Sequence, residues 1–447
     1  MTGGPTQHES RALGFWLCLS LCIGTFIGSG IFLLPAQLAP YGWNALFAWL
    51  ITIGGALCLA QVFARLTRAL PEAAGPYAFV GHAFGPGAAF TVAWSYWISA
   101  WVGNAAIAAA AISYLSLFAP ALTATPAATA AAAIALLWLL TLLNCVSLRA
   151  VGGFQLVTVI IKLIPLLVVI GLAAYVVAEG RQGSVVPLRA QDLHISSINA
   201  AAALTLWALL GVEAPSIASR TVRDPERTIP RATLIGTALV GLIYILVSTP
   251  IAMFLPADQL AGSDAPFALF VAHFWDPRLA LLIGLFAAIS CIGALNGLIL
   301  IQGELPLAMA RNGAFPLWFA RTSRRGTATR SILLSSGLAS VLILARAGGS
   351  VSQLFVFMIL LSTAAALILY LACALAALRL QQKGVMARSA TMSLVAGLAA
   401  LYSVWTLYGA GYEATAWGAA LMGAGIPVYF LMRRSTRAAK SRPASSA

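Results

Sequence analysis

Charge is scarce in this chain. Only 9% of its 447 residues are Asp, Glu, Lys or Arg, and 61% are apolar. Ordinary soluble domains carry roughly a quarter charged residues, and the mean hydropathy here is +0.93. A soluble fold is excluded, and the chain reads as a polytopic, all-α membrane protein. Reactive groups are sparse too. The six cysteines (18, 22, 58, 145, 291 and 373) lie in or beside apolar runs, and none forms a CxxC pair. That argues against a disulfide framework or a metal site. His82, His194 and His273 have no ligand partners at useful spacing. With no nucleophile–base pairing either, no catalytic residues, metal ligands or cofactors are expected. The rings of like charge or repeated polar residues of a channel are missing. So is the soluble domain a membrane sensor would carry. No small-residue cleavage pattern marks a signal peptide in the first apolar run.

What the sequence does have is long apolar stretches. Runs of about 18–25 residues predict twelve spans, near 13–39, 44–64, 87–117, 127–147, 153–178, 200–218, 232–254, 279–304, 331–345, 352–378, 391–409 and 413–432. With the N-terminus cytoplasmic, 21 of the 26 lysines and arginines fall on the cytoplasmic side, against Arg181, Arg189, Arg278 and Arg346 on the other. The positive-inside rule then sets both termini in the cytoplasm. The net charge of +14 is therefore topology, not a nucleic-acid surface. Residues 1–12 form an N-terminal tail and 433–447 a basic, low-apolar one. The polar stretch 179–199 joins a first five-span half, 13–178, to a second, 200–378, and residues 379–432 supply helices eleven and twelve.

The first span of each half is compromised as a helix. Residues 22–37, "CIGTFIGSGIFLLPAQ", place Gly24, Gly28, Gly30 and Pro35 at membrane depth; span six, "ALTLWALLGVEAPSIAS", places Gly211, Glu213 and Pro215 together about 185 residues on. Glycine and proline are frequent in membrane helices for packing alone. Paired interruptions at matching places in two halves instead point to a transporter binding site. An odd number of spans per half requires the halves to be inverted. A break in lipid must face protein or a cavity. The N–H groups freed at "GSG" suit a carboxylate, with Gly28 and Gly30 allowing close approach and Ser29 adding a hydroxyl. The unwound carbonyls around Trp207, Ala208 and Leu209 suit an ammonium. Anion on one break and cation on the other describes an α-amino acid.

Three stretches carry a resemblance: "GTFIGSGIFLLPA", "WALLGVEAPSIASRTVRDPERTIPRA" and "AMARNGAFP". The chain is similar over nearly its whole length to the amino acid–polyamine–organocation superfamily. That implies the leucine-transporter type fold, a 5+5 inverted repeat of transmembrane helices with two further C-terminal helices. The arginine/agmatine antiporters of that superfamily look particularly near through "GSGIFLLPA", "YWISAWVGN", "LLNCVS" and "TLWALLGVEA". The resemblance makes Gly28, Ser29 and Gly30 a carboxylate-binding turn and Trp207 an aromatic cover on the substrate. Glu213 becomes a carboxylate tied to gating and pH response, with Tyr96 and Asn104 lining the pocket and its gate. Two departures bear on specificity. Thr25 stands where the antiporter has asparagine, and Leu298 where it stacks a tryptophan on the guanidinium. Losing that cation–π partner removes about 0.5–2 kcal/mol of preference for a cationic side chain.

Lys162, in "VTVIIKLIPLLVV", lies roughly 14 Å into span five, and an intramembrane ion is a functional candidate by default. Sodium-independent members of the superfamily resemble the chain here, with an ammonium where sodium binds in sodium-coupled relatives. A charged Lys162 would donate to carbonyls of the broken first helix. Carrying the coupled proton, or merely bridging helices, are its other readings. Glu213 likewise reads as a proton site, a gating carboxylate or a cap for freed N–H groups. The expected function is sodium-independent amino acid transport across the bacterial inner membrane by alternating access, as exchange or proton symport. A cationic amino acid or polyamine antiporter is the alternative. The partners are a small amino acid or polyamine and the lipid bilayer, not nucleic acid; a homodimer is left open.

Overall fold

In the computed structural model of the protein, residues 14–440 are described, apart from 29, 74, 147, 182, 184, 186, 218–221, 324 and 325. The side chains of 148–160, 217 and 434–440 are also left undescribed. The chain is built of helices. A bent pair opens it, α1 (Phe15–Phe26) and α2 (Gly30–Leu38), whose axes meet at 45°. Then come α3 (Trp43–Ala69), α4 (Pro76–Phe84), α5 (Pro86–Leu115), α6 (Pro126–Val146) and α7 (Leu148–Ala178). After the linker follow α8 (Ile195–Ala208), α9 (Ala214–Ile217), α10 (Pro225–Phe254), α11 (Ala257–Ala261), α12 (Pro266–Phe274) and α13 (Pro277–Arg311). The chain closes with α14 (Thr329–Ala345), α15 (Val351–Gln382), α16 (Ala390–Gly409) and α17 (Gly411–Lys440).

Among the described residues nine helices are long and apolar enough to cross a membrane, or ten with the bent pair taken as one span. The two shorter apolar helices, α8 and α14, fall where the sixth and ninth runs were read. The protein is a multi-pass membrane protein. Its helices start where the sequence supplies a start. Proline occupies the first turn of α4, α5, α10, α12 and α13, where its missing N–H costs nothing. Ser350 and Gln353 form a capping box on α15, and Asp276 caps α13 through the Arg278 N–H at 2.6 Å.

Burial grades from centre to rim. In the apolar window of α5, 89% of residues are buried, and 78% in α15, but only 11% in α17. So α5 and α15 form the centre and α17 faces outward. Residues 105–111 of α5, all but one alanine, are buried, and small side chains let helix backbones approach in a bilayer. Hydroxyls stitch the centre: Ser99 to Ser362 at 3.1 Å, Ser95 to the Ala365 carbonyl at 2.8 Å, and Thr52 to Thr205 at 2.7 Å between α3 and α8. The polar linker is tied down at its end by Asn44, which donates to the Asp192 carbonyl and accepts from the His194 N–H, both at 2.9 Å.

One feature departs from the sequence reading. The predicted spans leave 65–86 and 255–278 as connections, yet α4 and α12 lie within them, nine residues each. They are too short for a span-length scan to register. The interruption expected in span six is present: α8 stops at Ala208 and, among the described residues, the single turn of α9 follows.

Candidate functional site

The break between α1 and α2 is held from outside. Ile27 closes α1 with its N–H on the Ile23 carbonyl at 2.9 Å. The Tyr244 hydroxyl of α10 donates to the Phe26 carbonyl at 2.7 Å, and Tyr114 of α5 donates to the Phe32 carbonyl at 2.7 Å. The carbonyls thus receive hydroxyls in place of water, as backbone at membrane depth requires. The first N–H groups of α2 have no partners within their own helix, an arrangement that suits an anion. Thr25 spends its hydroxyl on the Leu21 carbonyl at 2.7 Å. Gly28 is only partly buried, and a Cβ built on it would meet the Ala294 Cβ of α13 at 3.7 Å. Ser29 lies outside the described residues.

The second break is held from within. Beyond α8, the Leu209 N–H bonds the Leu206 carbonyl at 2.9 Å and the Leu210 N–H bonds the Trp207 carbonyl at 3.3 Å. Of the three carbonyls expected to be free, Trp207's is therefore occupied; among the described residues those of Ala208 and Leu209 accept no backbone bond. Gly211 then turns the chain at φ +108°, a conformation that favours glycine. A Cβ on Gly211 would lie 2.6 Å from the Thr25 Cγ2, so the two breaks touch.

Glu213 is buried and plugs this break. Its carboxylate accepts from the Tyr370 hydroxyl at 2.8 Å, with the Tyr96 hydroxyl close beside it. The Gly211 N–H also reaches the Tyr370 oxygen at 3.2 Å. Three segments, from α5, α15 and the break, thus converge on one carboxylate. Tyr96 was expected here. Tyr370 was not, although it is the lone tyrosine in the 32 residues of α15.

Trp207 lies between the two breaks. A Cβ on Gly30 would come 2.9 Å from its Cδ1 and 3.0 Å from its Nε1; one on Gly103 of α5 would come 2.8 Å from its Cη2 and 3.4 Å from the Ser362 Oγ. Two glycines on two helices thus make the slot the indole fills. Gly103 was quoted within "YWISAWVGN" but not singled out.

The other candidates sit around this centre in different ways. Lys162 of α7 is 2% exposed, and its Nζ lies 3.5 Å from the Gly24 carbonyl of α1. Asn104 is buried, but its amide donates to the Gln302 Oε1 at 2.7 Å, and Gln302 passes the chain on to Ser336 at 3.0 Å. The structure therefore sets Asn104 in a polar seam between α5, α13 and α14, and the Asn104 Oδ1 is left without a protein partner. Leu298 is partly buried, one helical turn along α13 from Ala294, and it is Ala294 that meets Gly28. Among the described residues no group of three His, Cys, Asp or Glu is placed to hold a metal ion.

The chain is similar in sequence to known proteins. The family described as amino acid permease matches residues 13–430. A cadaverine/lysine antiporter of Escherichia coli K12 is 30% identical over 360 residues, covering 78% of this chain and 79% of its own. A putative arginine/ornithine antiporter of Bacillus subtilis is 30% identical over 468 residues, 95% and 97% of the two chains. The putrescine transporter PotE of Escherichia coli K12 is 28% identical over 435 residues, 96% and 97% of the two.

Proposed function

The chain belongs to the amino acid permease family of the amino acid–polyamine–organocation superfamily, and on that premise we propose that it carries α-amino acids across the bacterial inner membrane without sodium, by exchange or with a proton. The observation that carries the proposal is the meeting of the two breaks at Thr25 and Gly211 with the Lys162 ammonium 3.5 Å from the Gly24 carbonyl on the α1 side. A fixed cation there supplies the positive charge that a bound sodium ion would supply to unwound backbone. The substrate carboxylate would sit on the N–H groups at Gly28, Ser29 and Gly30, and its ammonium on the Ala208 and Leu209 carbonyls. Trp207 is packed shut against Gly30 and Gly103, so a substrate would enter by swinging the indole out and be covered by its return. Twelve spans in two inverted halves, with cytoplasmic termini, suit this rocking mechanism. The matching short helices α4 and α12, each before the third span of its half, support the repeat.

A second reading, antiport of cationic amino acids or diamines, is favoured by the names of the relatives. Against it, Ala294 faces Gly28 and neither it nor Leu298 offers a ring to a cation. Uptake of radiolabelled amino acids into sodium-free proteoliposomes, empty or preloaded, at two pH values tests both. Uptake only into preloaded vesicles means exchange; uptake into empty vesicles under an inward proton gradient means symport. A strict sodium requirement refutes the role given to Lys162. Uptake of diamines but no neutral amino acid would establish the second reading.

A further inference from the structure

One cavity has no part in the mechanism above. About 720 Å³ in volume, it opens between the C-terminal end of α2, the turn from α14 to α15, and the corner between α16 and α17. Its wall carries one charge of each sign. The Arg346 Nη1 lies 2.6 Å from the Glu413 Oε1, with the two side chains 32% and 57% exposed, and the guanidinium stands 4.2 Å over the Phe357 ring. Gly348 leaves open space in the turn above them. Gln37 and Ser352 exchange hydrogen bonds at 2.7 and 3.0 Å across the cavity, linking α2 to α15. Two helices that wall it also reach the centre: on α15, Ser362 beside the Trp207 slot lies ten residues beyond Ser352. Gln37 is seven residues beyond Gly30 on the same helix, roughly 10 Å.

We propose that this cavity is an outer docking site for a zwitterionic α-amino acid: the Arg346 guanidinium takes the carboxylate, the Glu413 carboxylate takes the ammonium, and the side chain lies over Phe357 and Leu360. The proposal rests on the reading of the chain as an amino acid transporter with this end outside. An ion pair so open to water contributes little by itself, and a zwitterion replaces its one contact with two. The planar guanidinium has further N–H groups to grip a carboxylate in two places. A ligand held here would lie at one end of α2 and α15, the helices that carry Gly30 and Ser362 beside Trp207, and its arrival would compete with the Gln37–Ser352 link between them.

The test measures uptake in right-side-out and inside-out membrane vesicles, using an amino acid the wild type carries. Arg346→Ala and Glu413→Ala are each expected to raise KM from the outer side three- to tenfold, leaving kcat and the inner-side KM unchanged. A linear diamine added outside as competitor has no carboxylate, so it should lose potency in Glu413→Ala but not in Arg346→Ala. The double exchange Arg346→Glu with Glu413→Arg rebuilds an ion pair, and the outer-side KM should stay raised. Full recovery in that variant, or equal effects from both sides, would make the pair a structural strut and overturn the proposal. Normal outer-side KM in both single variants overturns it too while leaving transport standing; absence of wild-type amino acid uptake overturns both readings.

Discussion

Adding a single methyl group at Gly30 tests whether the indole slot holds the first break in place. In Gly30→Ala the new Cβ would stand 2.9 Å from the Trp207 Cδ1, 3.0 Å from its Nε1 and 3.3 Å from the Ala208 Cα. Carbon atoms attract best at about 3.5–4.0 Å, so all three contacts are too short. The ring cannot simply slide away, because its far edge is already lodged against Gly103, and the Ala208 backbone cannot yield without moving the end of α8. Overpacking of this kind costs typically about 1–3 kcal/mol, and we expect about 2 kcal/mol here. Gly28→Ala is the control, since its Cβ would meet the Ala294 Cβ at 3.7 Å and the Phe26 carbonyl oxygen at 3.9 Å, both ordinary contacts. It should be as stable as the wild type, yet bind substrate poorly because the methyl occupies the approach to the freed N–H groups. The assay is thermal unfolding of the purified variants in one detergent, alongside radioligand binding. Adding Trp207→Ala should remove most of the stability cost of Gly30→Ala, a coupling readable in a double-mutant cycle. If Gly30→Ala is as stable as the wild type, or its cost persists without the indole, the slot is not what fixes the break. If Gly28→Ala binds normally, the carboxylate does not sit there.

Tyr370→Phe leaves the Glu213 carboxylate and the Gly211 N–H each short of a partner, so it should cost about 1–3 kcal/mol in thermal stability; Glu213→Gln, which keeps an acceptor for that hydroxyl, should cost less. Asn104→Ala leaves the buried Gln302 Oε1 without its donor and is expected to lower the unfolding midpoint with KM unchanged, whereas a tenfold rise in KM would return Asn104 to the pocket. Lys162→Met should leave a folded protein that no longer transports in sodium-free vesicles; transport at the wild-type rate would reduce Lys162 to a packing residue.

The breaks and the long runs were legible because both are local. Three or four glycines and a proline inside one apolar window are visible in sequence, and so is a run of twenty apolar residues. The short helices α4 and α12 were also signalled, by Gly75–Pro76 and Ala265–Pro266, but nine residues fall below the length at which an apolar run stands out. What the sequence hid is long-range. Asn104 finds Gln302 at 198 positions' remove, and Tyr370 finds Glu213 at 157. Nothing near either residue names its partner. The depth of α13 was hidden for a different reason. Ala294 and Leu298 lie four residues apart on one face of the helix, so periodicity could not show which of the two stands level with Gly28.

The way each break is satisfied bears on what it can bind. At the second break, the carboxylate of Glu213 accepts from the Tyr370 hydroxyl with Tyr96 close beside it, and among the described residues it is the one buried carboxylate. A diamine that sought it out would have to displace Tyr370 and leave a buried hydroxyl without a partner, a cost of about 1–3 kcal/mol before any gain. At the first break the hydroxyls of Tyr244 and Tyr114 donate to carbonyls, and they leave the N–H groups of α2 for something else. The unspent capacity at the centre is therefore for an anion, supplemented by the Ala208 and Leu209 carbonyls, which can accept from an ammonium without displacing anything. On the proposed reading an α-amino acid would use both, whereas a diamine would use only the second and leave the freed N–H groups unmatched. On these grounds a relative that does carry diamines should differ from this chain at the second break, where its carboxylate must be free to turn away from the tyrosines.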